Sequence, residues 1–336
     1  MKLAPIFNHH MVFPANKPIL VYGEAVGAVT IRFAEFEQTV SPKNGRFIAL
    51  FRPLPYGGPH ILSAEGDGEE IVLFDIHIGE VFLFAGQSNM QYKLRESGLY
   101  RDIYENNSAL RLYSTYRMQP DEPYTPKDGW LTAKADMLDN WPAIPYLTAR
   151  RFSEQNPGIA VGLIGCYQGA SVIESWVPRG AFEAAGIHVP PESKHIDHTV
   201  EPFCQWNGDG TLYEFALSQV RPFPISGVVW YQGESDTTSA EAAVYADELR
   251  TMISIWRRDF ADPNLPFVIV QIADYMAPYE QAGWEALQAA QASMSGTDRF
   301  VSVVVSSDVC EDWDIHPKSK AALSERIADA LDSLLS

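Results

Sequence analysis

Two hydrophobic patterns divide the chain. Up to about residue 78, apolar and polar positions alternate in short runs. Val29-Thr30-Ile31-Arg32-Phe33 has the period of two that puts every second side chain on one face of a half-buried strand. Residues 18–22, 46–51 and 71–74 offer further short strands. Between them lie turn sequences: Pro42-Lys43-Asn44-Gly45, Pro55-Tyr56-Gly57-Gly58-Pro59 and Gly66-Asp67-Gly68. Short strands with regular turns predict a small β-sandwich domain over residues 1–78.

From residue 80 onward, continuous apolar runs alternate with amphipathic stretches. The runs at 81–85, 110–114, 160–165, 227–231, 267–271 and 300–305 read as strands buried on both faces. The stretches at about 142–155, 239–258, 281–295 and 318–335 read as helices; the last carries Ala322, Ile327, Ala328, Leu331 and Leu335 near helical spacing. This alternation predicts an α/β domain with a central parallel sheet over residues 79–336. Residues 115–140 and 178–212 have no clear period, and long irregular segments of this kind often form the walls of a site.

Composition narrows the functional classes. The 336 residues carry a formal net charge of −18. The sequence shows no basic cluster with which to neutralise phosphates, so nucleic acid is excluded as an expected partner, and anionic membranes are disfavoured. No run is long and apolar enough to predict a membrane span. The first ten residues lack the features of a signal peptide, so the expectation is a soluble, cytoplasmic protein. The three cysteines, Cys166, Cys204 and Cys310, form no Cys-x-x-Cys pair and read as free thiols. His195-x-x-His198 with Asp197 has the spacing of a metal pair but lies in an irregular stretch with no further ligand in view, so no metal site is expected.

Ser88 follows the apolar run 81–85 just before a helix, at the carboxyl end of a parallel strand, where ligands of open sheets bind. From position alone, capping a helix is the likelier job. The surrounding Gly86-Gln87-Ser88-Asn89-Met90 is not the nucleophile elbow Gly-x-Ser-x-Gly, because Met90 takes the place of the second glycine.

Four blocks in order carry a resemblance. They are Ile78-Gly79-Glu80-Val81-Phe82-Leu83-Phe84-Ala85 leading into that pentapeptide, 162–171 with Ile173-Glu174-Ser175-Trp176, Gly227-Val228-Val229-Trp230-Tyr231-Gln232-Gly233-Glu234-Ser235, and Asp314-Ile315-His316-Pro317-Lys318. Together with Met11-Val12-Phe13 and Lys17-Pro18-Ile19 near the start, they resemble the sialate O-acetylesterases and their relatives among the SGNH esterases, over nearly the whole chain. There are departures. Gly169-Ala170 stands where the family usually has Gly-Gly, and the extra methyl is expected to do little harm. Asp236 stands where many sialate O-acetylesterases have Asn; Glu-Ser-Asp is also seen in the related acetyl xylan esterases.

The resemblance implies a three-layer α/β/α, flavodoxin-like hydrolase domain and a metal- and cofactor-free reaction. Ser88 would be the nucleophile and His316 its base. A neutral imidazole can take the serine proton and return it to the leaving oxygen. The carboxylate that orients His316 is Asp314 or Glu234. The oxyanion hole implied is the Ser88 and Gly169 backbone N–H groups with the Gln232 amide. Gln87 and Asn89 beside the nucleophile, and Trp176 and Trp206 in loop-like segments, are the expected contacts to sugar; Trp230 reads as core. The implied substrate is an acetylated sugar, O-acetylated sialic acid first and acetyl xylan second. A non-catalytic carbohydrate-binding protein and a thioesterase or lipase of the same superfamily are the rival readings. The sequence sets no oligomeric state.

Overall fold

The computed structural model describes residues 1–99, 101–118, 129–196, 200–276 and 281–336. Parts of both irregular stretches, 119–128 and 197–199, lie outside the described residues, and with them Asp197 and His198 of the proposed histidine pair.

Alternation in the N-terminal segment produces antiparallel pairing. The strands are β1 (Lys2–Leu3), β2 (Val12–Pro14), β3 (Ile19–Glu24), β4 (Val29–Phe33), β5 (Phe36–Val40), β6 (Arg46–Phe51) and β7 (Gly57–Gly66). β3 lies between β1 and β6 in one sheet. β4 lies between β5 and β7, and β7 pairs with β8 (Glu69–Gly86). β6 buries every second residue, as the period of two requires.

β8 is a single strand of 18 residues. Its first part pairs antiparallel with β7 and its last part pairs parallel with two strands of the large sheet. The expected boundary at residue 78 therefore falls within an unbroken strand, where pairing partners change. Apolar side chains from both sides of this position, such as Ile31 and Phe33 before it and Phe82 and Phe84 after it, belong to one core.

Beyond β8 come α1 (Ser88–Gln91), β9 (Asn107–Ser114), β10 (Leu131–Ala133), α2 (Ala143–Gln155), β11 (Val161–Tyr167), α3 (Ala181–Ala184), α4 (Thr211–Phe215), β12 (Gly227–Tyr231), α5 (Ser239–Asp259), β13 (Phe267–Val270), α6 (Gln281–Ala292), β14 (Val301–Val304) and α7 (Ala321–Leu335). The spatial order is β10-β9-β11-β8-β12-β13-β14, parallel except for β10. β11, β12 and β13 are buried along their whole length, which their uninterrupted apolar sequences require. α2 packs with α7, and α5 with α6. α5 opens on a capping box: the Thr238 hydroxyl accepts from the Glu241 N–H while the Glu241 carboxylate accepts from the Thr238 N–H.

The chain leaves β8 toward β9 and β11, then returns past β8 to build β12, β13 and β14. The reversal opens a crevice at the carboxyl ends of β8, β11 and β12, where ligands of doubly wound sheets bind. Among the described residues, no helix is long and apolar enough to cross a membrane.

Candidate active site

The turn out of β8 depends on Gly86. Its φ is +137°, and a Cβ built there would lie 2.0 Å from the Tyr231 carbonyl oxygen. Only glycine lets the end of β8 press this closely on β12. The Tyr231 carbonyl accepts from the Gln87 N–H at 3.0 Å, and the chain turns at once into α1. Ser88 is thus the first residue of a helix, half-buried at the carboxyl end of the strand.

His316 reaches Ser88 from the loop between β14 and α7. Its Nε2 lies 2.8 Å from Ser88 Oγ, within the range for proton transfer. Burial lowers the His316 pKa, and the Lys320 ammonium lowers it further; the charges of Asp314 and Glu96 pull the other way. The net effect favours the neutral imidazole, the form a base needs. The Tyr92 ring stacks against it with centroids 6.2 Å apart.

Neither candidate carboxylate is hydrogen-bonded to His316 Nδ1 among the described residues. Asp314 Oδ1 accepts from the backbone N–H of His316 at 2.9 Å, closing the short turn that aims the ring. Glu234 is buried, which raises its pKa. Its Oε1 accepts from Asn89 Nδ2 at 2.6 Å, and its Oε2 has no partner among the described residues.

Residues 78–333 match the family described as carbohydrate esterase, sialic acid-specific acetylesterase. The chain belongs to this family. It is 22% identical to the sialate O-acetylesterase of Rattus norvegicus, covering 97% of this chain and 72% of that protein. It is 23% identical to that of Homo sapiens, covering 97% and 69%. A solved carbohydrate acetylesterase from Xanthomonas citri superposes with a TM-score of 0.85 at 25% identity, over 98% of this chain and 74% of that one.

In this family member, Gly169 faces Ser88: a Cβ built on it would stand 3.7 Å from Ser88 Cβ. Its N–H donates to Gln91 Oε1 at 3.2 Å. Ala170 follows in the left-handed region, with φ of 52°. The Gln232 side chain is fully buried. Its amide nitrogen faces Asp236 Oδ2, Ser171 O at 2.8 Å and Gln87 Oε1 at 3.2 Å. Its oxygen accepts from the Tyr245 hydroxyl at 2.6 Å. Two amide hydrogens thus face three acceptors of the protein itself.

The four expected sugar contacts are all buried. Trp176 and Trp206 are fully buried; their ring N–H groups donate to Ser171 Oγ at 3.0 Å and to the Ala170 carbonyl at 3.4 Å. Their segments lack periodicity because they fold over the core as short turns, with Trp176 edge-on to Trp230. Gln87 and Asn89 are also buried. Gln87 Oε1 accepts from Gln232 and from the Gly233 N–H, and Asn89 joins Glu234 to the His316 loop.

Two residues beside Ser88 and the His316 loop escaped the sequence reading: Gln91 on the Gly169 amide and Lys320, which is buried. Lys318 and Lys320 flank the start of α7 alike in sequence, yet Lys318 is exposed. Among the described residues, no group of three or more His, Cys, Asp or Glu side chains could hold a metal ion.

Proposed function

We propose that the chain is a carbohydrate O-acetylesterase that works through an acetyl-Ser88 intermediate, with O-acetylated sialic acid as substrate. The observation that carries this reading is the 2.8 Å approach of His316 Nε2 to Ser88 Oγ at the switch point of the sheet. The family and the activity by which its relatives are named favour sialic acid as the sugar.

In this reading, Ser88 Oγ attacks the acetyl carbonyl carbon while its proton passes to His316 Nε2. The tetrahedral oxyanion meets the N–H groups of Ser88 and Gly169. The Ser88 amide is free to serve because the first N–H groups of a helix have no carbonyl one turn back. A substrate oxygen takes the place of Gln91 Oε1 on Gly169. Collapse expels the sugar oxygen, which receives the proton held by His316. Water then attacks the acetyl group with His316 again as base, releasing acetate and restoring Ser88.

Asp314 is the carboxylate assigned to His316: its charge favours the imidazolium and its Oδ1 fixes the backbone. Glu234 acts through Asn89. Gln232 supports the oxyanion donors from behind, because its partners Gln87 and Ser171 flank the two loops that present them. Asp236 is buried against Gln232 and the Ile173 N–H, so its departure from the family Asn favours neither sugar.

The test measures acetate release from O-acetylated sialic acid, acetyl xylan and acetylated hexoses. The sialic acid ester should turn over fastest, and Ser88→Ala should lose about 10³-fold or more in kcat. Turnover by Ser88→Ala at the wild-type rate would refute the mechanism.

A further inference from the structure

Lys320 is fully buried at the start of α7. Its Nζ donates to Asn89 Oδ1 at 2.7 Å and lies 5.1 and 5.7 Å from the ring centroids of Tyr92 and Tyr231. Among the described residues, no carboxylate comes within ion-pair distance of it. Burying a lysine without a direct counter-ion is costly, so its place under the dyad calls for a reason other than stability.

Asn89 shows what the cation does. Its Nδ2 donates to Glu234 Oε1 at 2.6 Å and to the Ile315 carbonyl at 2.9 Å. The lysine can only donate and the carbonyl can only accept, so the amide fits in one orientation. Ile315 C=O and His316 N–H belong to the same peptide unit, and Asp314 holds the N–H end at 2.9 Å. The peptide that carries the base is therefore gripped at both ends, once by the residue next to the nucleophile.

We infer that Lys320 is a positioning residue for the esterase reaction: its ammonium fixes the Asn89 amide that ties the Ser88 turn to the His316 loop. The inference rests on the Ser88–His316 reading above. The cation has a second effect. The charges facing His316 are Lys320, Asp314 and Glu96; those facing Lys320 include Glu234, Glu311, Asp314 and the Cys310 thiol. Lys320 is the member of the first set that disfavours the imidazolium, and so it helps keep the base unprotonated. Burial in turn lowers the Lys320 pKa to about 8, so the cation is present at neutral pH and is lost in mild alkali.

The test is Lys320→Met in the full chain, assayed with p-nitrophenyl acetate as a function of pH. The His316 imidazole is titrated in parallel by NMR, with His316→Gln used to assign its signal. A misplaced dyad should cost about 10²-fold in kcat with KM nearly unchanged. The acidic limb of kcat/KM should move to higher pH, and the basic limb near pH 8 that Lys320 gives the wild type should vanish. Merely structural damage would lower the active fraction and leave the limbs in place. Should Lys320→Met fail to fold, Lys320→Met/Glu234→Gln removes both charges at nearly constant volume and is compared with Glu234→Gln alone. Wild-type kcat with an unmoved His316 titration would overturn the inference. Activity lost in Ser88→Ala but intact in Lys320→Met sinks only this inference; activity intact in Ser88→Ala sinks the reading beneath it.

Discussion

Gln91 Oε1 accepts the Gly169 N–H at 3.2 Å, occupying the donor assigned to the oxyanion. A substrate carbonyl has to displace it, and a neutral hydrogen bond of this kind contributes about 0.5–1.5 kcal/mol net. Gln91→Ala should therefore raise kcat/KM about 2- to 10-fold, mostly through a lower KM. Steady-state kinetics on a sugar acetate checks this, and a higher KM would mean that Gln91 holds the substrate.

Much of this arrangement is legible in the sequence because its causes are local. β11, β12 and β13 announce themselves as apolar runs, since both faces are covered. The amphipathic stretch at 239–258 reads as the helix that α5 forms over Ser239–Asp259. Ser88, Gly169 and His316 stand in ordered blocks that the fold brings together. What escaped is decided by packing. β8 passes from alternation to continuous burial without a turn, and its pairing partners change along its length. Trp176 and Trp206 sit in aperiodic segments whose burial depends on distant elements. Lys320 and Lys318 differ only in which way each faces at the start of α7.

Asp314 and Glu234 should separate by pH profile. Asp314 raises the His316 pKa, while Glu234 is absent from the charges that act on it. Asp314→Asn should thus move the acidic limb of kcat/KM to lower pH, opposite to Lys320→Met, and cost about 10- to 10²-fold in kcat. Glu234→Gln should leave the limb in place. A limb that moves with Glu234→Gln would make Glu234 the partner of His316.

Ala170 occupies the left-handed region, with φ of 52°, where an L-residue costs about 1–2 kcal/mol. The methyl expected to be harmless sits where glycine is at ease. Glycine adds unfolded-state entropy of about 0.4–1 kcal/mol, so Ala170→Gly should stabilise the fold by about 1 kcal/mol or less, a rise of about 2 °C in Tm. Scanning calorimetry reads this, and a lower Tm would show that the Ala170 methyl makes a contact outweighing its strain.

Glu248 gives a pH-dependent test of the core behind the site. Burial first, and the charge of Glu174 next, push its carboxyl from 4.5 to about 8. Below 4.5 both folded and unfolded chains hold the proton. Between 4.5 and about 8 the unfolded chain releases it while the folded chain keeps it, so stability falls as pH rises through this window, by at most about 1.4 kcal/mol per pH unit. Glu248→Gln is near-isosteric and cannot ionise. Its Tm advantage over the wild type should be smallest near pH 4.5 and should grow toward pH 8. A Tm difference that stays constant across the window would show that Glu248 ionises in the fold as it does in the unfolded chain.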